Sequence, residues 1–576
     1  MKHLLEKQHE KDIRSIAYFS MEIGIDENIP TYSGGLGILA GDTIKTFADL
    51  IVPVVAISII CNKGYFKQEI QNGYQIEKPV DWYPIKFMKL MPQRVSVNIE
   101  GREVKVAAWE YKVVGIKGFE VPIYFLDTNL EENAPEDREI TAHLYGGDLR
   151  YRIKQEIILG IAGTRMLEAL GYKKIKKYHM NEGHSAFLTL ELLKRTEKKQ
   201  ETDIFKKYDF MEVKKKCVFT THTPVPAGHD QFDKNDVLHI LGKDFMDEQI
   251  LNMYFYNDKL NMTLLALNNS EYINGVALRH REVSKTMFPG YPIDSITNGV
   301  NSYVWTCDEF KELFDKHIPA WRYDPFNLRY ALSISRKEIW EAHLSAKKKL
   351  IDYVNSITHA DLDYNTFTIG FARRSTPYKR LDLFFSNLNE LIDIHDNVGK
   401  FQVIIGGKAH PRDNAGKELI RKLFEIIERL KDKIKVVYLV DYDMRLAKLL
   451  VSGVDLWLNT PRRPLEASGT SGMKAAHNGI PSFSVLDGWW IEGHVENITG
   501  WSIGPKWHEN NIKDDYATDN QDAKEMYLKL REIIIPMFYN DWDKWTEIMR
   551  HAIAFNASFF NTHRMVHQYV LNSYFH

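Results

Sequence analysis

Short apolar runs rich in Ile and Val alternate with stretches of helical period along most of the chain, and glycine or proline loops separate them. An apolar run bounded by turn residues is the pattern of a strand buried on both faces, and alternation of such strands with helices builds parallel sheets. In the N-terminal half the pattern predicts a strand at Ser15–Glu22, a glycine turn at Tyr32–Gly37, a helix at Ile38–Leu50 and a strand at Ile51–Ile60. This βαβ unit carries its glycine loop at the carboxyl end of the first strand, where open α/β sheets place ligands. Val95–Gly115 alternates apolar and polar positions about Glu100-Gly101 and reads as a hairpin leaving the parallel sheet. Asp148–Leu170 reads as a long amphipathic helix packed on the core, and Lys177–Met180 and Cys217–Thr221 as further strands.

Past Trp305 the period becomes helical, with Leu328–Val354 the longest helix. Five strands then follow at Thr368–Ala372, Gln402–Ile405, Lys435–Val440, Val454–Leu458 and Ser482–Leu486, separated by helices such as Glu418–Leu430. That is a second doubly wound parallel sheet. Residues 1–304 are therefore read as one Rossmann-like α/β domain and 305–576 as a second, with the closing helices after Trp542 packing back on the first. Two such domains enclose a ligand cleft between them.

Composition agrees with two cores, since 576 residues at 44% hydrophobic are too many for one. A net charge of −2 gives no sign of nucleic acid as partner, and the longest apolar run, Leu50–Ile60, is too short to span a membrane. Met1–Arg14 is charged throughout, unlike a signal peptide. Three cysteines without disulfide or metal spacing suit a reducing cytoplasm, and no metal site is expected.

Candidate chemistry gathers at the loops. Glu466 to Lys474, E-A-S-G-T-S-G-M-K, follows the apolar run Val454–Leu458 and reads as strand, tight loop and helix start. Such a loop directs free backbone N–H groups at an anion. Lys474 is either a solvated helical lysine or, if buried, an amine able to form a Schiff base with an aldehyde cofactor whose phosphate the loop binds. Arg373, Arg374, Lys379 and Arg380 crowd the end of another strand, and guanidinium forks at a sheet's ligand edge match phosphate oxygens. N-E-G-H-S, with Asn181 and His184, and T-H-T-P-V-P-A-G-H-D, with His222 and Asp230, end two strands of the first sheet. His184 serves either as a ligand or as a structural histidine shaping the pocket.

The run E-A-S-G-T-S-G-M-K-A-A-H-N-G resembles the cofactor-lysine segment of the α-glucan phosphorylases. Matching segments run from Tyr18 to about Gly504, including G-G-L-G at Gly34–Gly37, H-T-x-x-P at His222, Thr223 and Pro226, N-G-V-A at Asn274, T-N-G-V at Thr297, Y-K-R at Tyr378 and G-G-K-A at Gly406. Val485–Gly493 resembles the short subgroup of that family, and Gly472 stands where long members have asparagine. The resemblance implies the glycosyltransferase B architecture and phosphorolysis of an α-1,4-glucan by orthophosphate, releasing α-glucose 1-phosphate with retention. It further implies pyridoxal 5′-phosphate bound as a Schiff base to Lys474, and a possible homodimer. Gly35, Arg373, Thr470, Ser471, Tyr442 and Trp305 are then expected at the cofactor, and Arg374 and Lys379 at the substrate phosphate. His222, Glu466, Leu36, Asn298, Tyr378, Ser468, Gly469, Asp230 and His184 are expected at the sugar. Arg373 replaces the usual lysine, which keeps the charge but changes the geometry. Related glycogen synthases of the same fold carry a lysine where this chain has Ser33. A nucleotide-sugar glucan synthase and an inactive glucan-binding protein are the alternatives.

Overall fold

The structure is a computed structural model that describes residues 13–198, 207–225, 228–243, 245–505 and 516–575. Pro226 of the H-T-x-x-P match lies outside the described residues. Two sheets dominate. The first has ten strands, and its parallel part runs in the spatial order Ile293–Ser295, Tyr272–Gly275, Cys217–Thr220, Lys177–Asn181, Ile16–Ser20, Val54–Ile59, Glu120–Asp127. Arg102–Val114 continues it antiparallel to Glu120–Asp127, and pairs with Val95–Ile99 in the expected hairpin about Glu100-Gly101. The second sheet is six-stranded and wholly parallel, in the order Val436–Leu439, Phe401–Gly406, Phe367–Ala372, Leu456–Asn459, Ser482–Val485, Gly500–Ile503. The last strand has no counterpart in the expected set.

Strand order fixes where ligands bind. In the first sheet successive strands leave Ile16–Ser20 on one side through Val54–Ile59 and on the other through Lys177–Asn181, so the crevice opens above Glu22 and Glu182. In the second the reversal lies between Phe367–Ala372 and Leu456–Asn459, above Arg373 and Thr460. Both are topological switch points, the usual ligand sites of doubly wound sheets.

Two helices differ from the expected pattern. Leu328–Val354 divides into a 3-10 stretch, Pro325–Ser333, and the helix Arg336–Thr358. Ser335 stops and restarts the chain because its hydroxyl accepts the Glu338 N–H at 3.2 Å and bonds the Glu338 carboxylate, which caps a new helix. The Asp148–Leu170 helix is continuous but carries a π turn at Ile158–Ala162. Gly160 sits in that turn with no room for a side chain, since a Cβ would lie 2.6 Å from the Leu188 nitrogen.

The C-terminal helices serve both halves. Trp545, on Trp542–His551, packs in the second core with its ring centroid 5.6 Å from Phe367 and 5.7 Å from Trp501. Beyond it the chain crosses to the first sheet. Thr562 bonds Thr46 at 2.6 Å, the Tyr569 hydroxyl meets Thr220 and Asn274, and the Tyr574 hydroxyl meets His179.

Candidate active site

At the first sheet's switch point the strand Ile16–Ser20 delivers Glu22, whose carboxylate accepts the N–H groups of Ser33 and Gly34 at 2.6 and 3.2 Å and the Tyr145 hydroxyl at 3.0 Å. This pulls the glycine loop over the strand end. Gly37 is needed for that approach, because a Cβ would meet the Glu22 side chain at 2.7 Å, whereas Gly34 and Gly35 face open space. Gly35 and Leu36 start the helix Gly35–Asp49, so their amides follow the turn that Glu22 holds.

Glu182 stands next to Asn181 at φ +74°, an uncommon backbone conformation for a glutamate. The strain turns its carboxylate to accept Gly183 N–H, His222 N–H and the Thr223 hydroxyl, at 3.0, 2.8 and 2.9 Å. His222 Nε2 lies 2.6 Å from Asn181 Oδ1, so Nε2 bears the proton and Nδ1 is left as an acceptor. Burial, reinforced by His280 and His179 nearby, lowers His222 to about 3, and the ring is neutral at physiological pH. Asn298 is buried, and among the described residues its side-chain oxygen has no partner.

His184 and Asp230 are brought together by a residue that sequence reasoning missed. Arg152 donates to Asp230 at 3.0 Å, approaches His184 Nε2 at 3.3 Å and lies 4.3 Å over the Tyr145 ring. Burial and the adjacent guanidinium keep His184 at about 3. The helix expected only to pack on the core thus also supplies the site with a cation. Its signal was present as Arg152 and Glu156, two charges one helical turn apart on a face that is otherwise apolar.

In the second half the cation loop divides its labour. Arg380 turns away to Asp519, Asp522 and the Thr460 and Pro461 carbonyls. Arg373, expected against the cofactor phosphate, places its guanidinium on Glu466 and Asn459. Lys379 meets both Glu466 oxygens at 2.8 and 2.7 Å. Burial alone would raise the Glu466 pKa, but Arg373 and Lys379 overcome it and hold the group at about 2. Arg374 is exposed, and among the described residues no carboxylate pairs with it. Its charge reaches Tyr65 and His410, and the His410 ring also bonds the Tyr145 backbone across from the other sheet. Tyr378 is half-buried, its ring 4.5 Å from the Lys379 amine.

The loop after Glu466 is fixed by its neighbours. Gly469 takes φ +74°, and the Ser468 carbonyl accepts the Trp489 N–H at 2.8 Å while Gly488 packs so closely that a Cβ would lie 2.3 Å from it. The Ser468 hydroxyl is buried, with no partner among the described residues. Thr470 and Ser471 open the short helix Ser471–Ala476, and Trp457 Nε1 donates to Ser471 Oγ at 3.0 Å. Gly472 has no space for the asparagine of long phosphorylases, since Trp489 stands 2.7 Å from where its Cβ would be. Tyr442 is half-buried and its ring closes on Gly406.

Lys474 is 8% exposed, and its amine lies 3.7 Å from the Trp305 ring centroid. Among the described residues the amine has no hydrogen-bond partner. Trp305 Nε1 donates to Asp42 at 2.7 Å, and the same Asp42 oxygen accepts Asn301 N–H at 3.1 Å. Burial lowers the Lys474 amine to about 8 and Asp42 opposes that shift. Asp42 was not singled out from the sequence, because one acidic residue inside an amphipathic helix looks like a solvated face.

Among the described residues no group of His, Cys, Asp and Glu side chains is arranged to hold a metal ion, and no helix is long and apolar enough to cross a membrane. A model of the carbohydrate phosphorylase family matches residues 243–534. The maltodextrin phosphorylase of Thermococcus litoralis is 40% identical over 598 aligned positions, which cover 96% of this chain and 70% of the relative. The glycogen phosphorylase of Mycobacterium tuberculosis is 34% identical, covering 97% of this chain and 70% of the relative. That of Aquifex aeolicus is 33% identical, covering 97% and 86%.

Proposed function

The chain belongs to the carbohydrate phosphorylase family, and we infer from that membership and from the site that it is a glycosyltransferase cleaving an α-1,4-glucan with orthophosphate to release α-D-glucose 1-phosphate with retention. The family uses pyridoxal phosphate, and we propose Lys474 as the residue that carries it. The observation behind this is the lysine itself: a buried amine, held at about 8, resting on an indole and lacking a hydrogen-bond partner among the described residues. Bound there, the cofactor would supply a phosphate group for acid–base chemistry beside the substrate phosphate. Gly35, Arg373, Tyr442, Trp305 and the N–H groups of Thr470 and Ser471 would hold it.

The chain's own groups then bind and orient. Arg374 and Lys379 attract orthophosphate, with Arg374 the more accessible because Glu466 occupies Lys379. Two phosphates side by side repel, so fixed cations must offset them. Glu466, ionised throughout the neutral range, accepts glucosyl hydroxyls, as do the neutral His222 and the Ser468 hydroxyl and Asn298 oxygen, which have no partner among the described residues. Buried polar atoms left without partners are what a polyol satisfies. Leu36, Gly469, Tyr378, Arg152, Asp230 and His184 complete the walls along which the glucan lies. No carboxylate pair is needed to supply acid and nucleophile, because orthophosphate protonates the leaving oxygen and captures the glucosyl group on the same face.

We place the enzyme in the cytoplasm, where the free thiols of Cys61, Cys217 and Cys307 persist, and expect a homodimer from the family resemblance. Borohydride reduction followed by peptide mapping is expected to find a pyridoxyl group on Lys474, and Lys474→Ala to abolish glucose 1-phosphate formation from maltodextrin. A label on another lysine overturns the cofactor assignment, and turnover of a nucleotide-glucose in place of orthophosphate overturns the reaction.

A further inference from the structure

We propose that Gln68 and Gln75 are positioning residues for orthophosphate, holding from the first half of the chain the loop on which the cation segment of the second half rests. The inference builds on the assignment of orthophosphate to Arg374 and Lys379. Both glutamines lie on a hairpin, Lys67–Gln71 paired with Tyr74–Lys78, that belongs to neither large sheet. A two-stranded hairpin is marginal in water by itself, so its order comes from what it docks on. Its tip packs on the helix Asn414–Leu430, with Gly73 against Phe424, Tyr74 5.9 Å from the Arg421 guanidinium and Glu77 2.8 Å from Lys417.

Between these surface contacts the two amides are 1% and 4% exposed. Gln68 Nε2 donates to Gln75 Oε1 at 2.9 Å and to the Gly407 carbonyl at 3.0 Å. Its backbone N–H and side-chain oxygen exchange a reciprocal pair of bonds with Asp441, both at 2.9 Å. Gln75 does the same with Ala409, donating to its carbonyl and accepting its N–H, each at 2.9 Å. Lys408, between the two anchored residues, is itself held by Asp441 at 2.5 Å and the Phe66 carbonyl at 3.2 Å. The Gly407 carbonyl and both backbone groups of Ala409 are thus bonded by side chains from the other sheet's half, with the Tyr438 hydroxyl of the second sheet also donating to the Gly407 carbonyl.

That loop has no slack against the cation segment. Arg373 N–H donates to the Gly406 carbonyl at 3.0 Å and Ser375 N–H to the Lys408 carbonyl at 2.9 Å. A Cβ on Gly407 would lie 2.0 Å from the Arg373 carbonyl oxygen. A shift of residues 407–409 is therefore passed to Arg374, the cation between two backbone anchors. A buried amide that loses its partner carries a large desolvation cost, so the loop moves when either glutamine is removed.

The test is steady-state kinetics on the cofactor-loaded enzyme with Gln68→Leu and Gln75→Leu, which keep the side chains' bulk. The orthophosphate KM is expected to rise about tenfold or more while the maltodextrin KM stays within about twofold and the pyridoxyl label at Lys474 keeps its stoichiometry. Gln75→Asn keeps a neutral amide but draws it back by one methylene from Ala409 and Glu77, so it is expected to fall between wild type and Gln75→Leu. It decides the question should a leucine variant fail to fold. An orthophosphate KM within about twofold of wild type, or equal rises for both substrates, overturns the inference. A wild-type enzyme that needs no orthophosphate overturns the phosphorolysis reading instead.

Discussion

Lys474 shows how one residue's chemistry is set by burial and two neighbours. Burial strips its ammonium of water, Trp305 offers only a π face, and Asp42 returns part of the lost stabilisation of the charge. Lys45 also faces Asp42, and is itself flanked by Lys448, Asp26 and Glu27. The neutral amine is the nucleophile, so uptake of pyridoxal phosphate by cofactor-free protein, followed by absorbance, is expected to speed up as pH rises through about 8. Asp42 favours the ammonium; Asp42→Asn should therefore move that midpoint to lower pH, and a midpoint unmoved or raised refutes the coupling. Glu466 presents the opposite case, a buried carboxylate kept ionised by two cations. Glu466→Gln leaves Arg373 and Lys379 facing one another without compensation, and is expected to cost about 3–5 kcal/mol. Because an anion can take the carboxylate's place, orthophosphate should raise the melting temperature of this variant by more than that of wild type in calorimetry. An equal rise in both would mean that orthophosphate binds elsewhere.

At the scale of elements, the loops that carry chemistry were legible because glycine, proline and clustered charge interrupt apolar runs wherever a parallel strand ends. The strand–loop–helix around Lys474 and the cation loop after Phe367–Ala372 stand where the pattern put them, while the helix expected from Ile38 starts at Gly35 and takes in the end of the expected glycine turn. Glu22, Asp42 and Gln68 were not legible as site residues, because in an amphipathic or strand-like stretch only tertiary packing distinguishes such a polar residue from a solvated one. Arg152, by contrast, was signalled by its spacing from Glu156 but read as core packing. The Pro325–Ser333 stretch was misread for a related reason: its apolar spacing fits a helix, and the Ser335 cap that breaks it is a local competitor of that pattern. Close packing of elements is also a source of predictions. Gly41 in the helix Gly35–Asp49 approaches Gly24 so nearly that a Cβ would lie 2.0 Å from its carbonyl oxygen. Gly41→Ala must push the helix away and move Asp42 with it. A loss of about 1–3 kcal/mol in urea unfolding is expected, together with weaker pyridoxal phosphate retention. Retention equal to wild type would show that Asp42 is not held by this contact.

Across the whole molecule the two halves are tied by the chain's return to the first sheet, where Met565 and Val566 join its apolar core and a polar seam runs beside them. His179 lies between the Tyr574 hydroxyl at 2.6 Å and Thr220 Oγ at 2.9 Å, while Tyr569 spans Thr220 and Asn274. Such a seam was not foreseeable in detail, since its partners lie hundreds of residues apart. It has a consequence for stability against acid. Burial, the largest cause in each case, lowers His179, His184 and His222 to about 3 and His280, His477 and His563 to about 4, against 6.5 for a free imidazole. Below pH 6.5 the unfolded chain therefore binds protons that the folded chain refuses, and folding stability falls as pH drops toward 4. Each buried histidine contributes a slope of up to about 1.4 kcal/mol per pH unit in that window and nothing above it. Urea midpoints should accordingly be level between pH 7 and 8 and decline steeply from 6.5 to 5. His179→Gln, which can bond both hydroxyls without a titrating ring, should flatten the decline by one histidine's share. A decline as steep in His179→Gln as in wild type would mean that the His179 ring takes up its proton in the folded protein, and that the seam is wetter than its packing indicates.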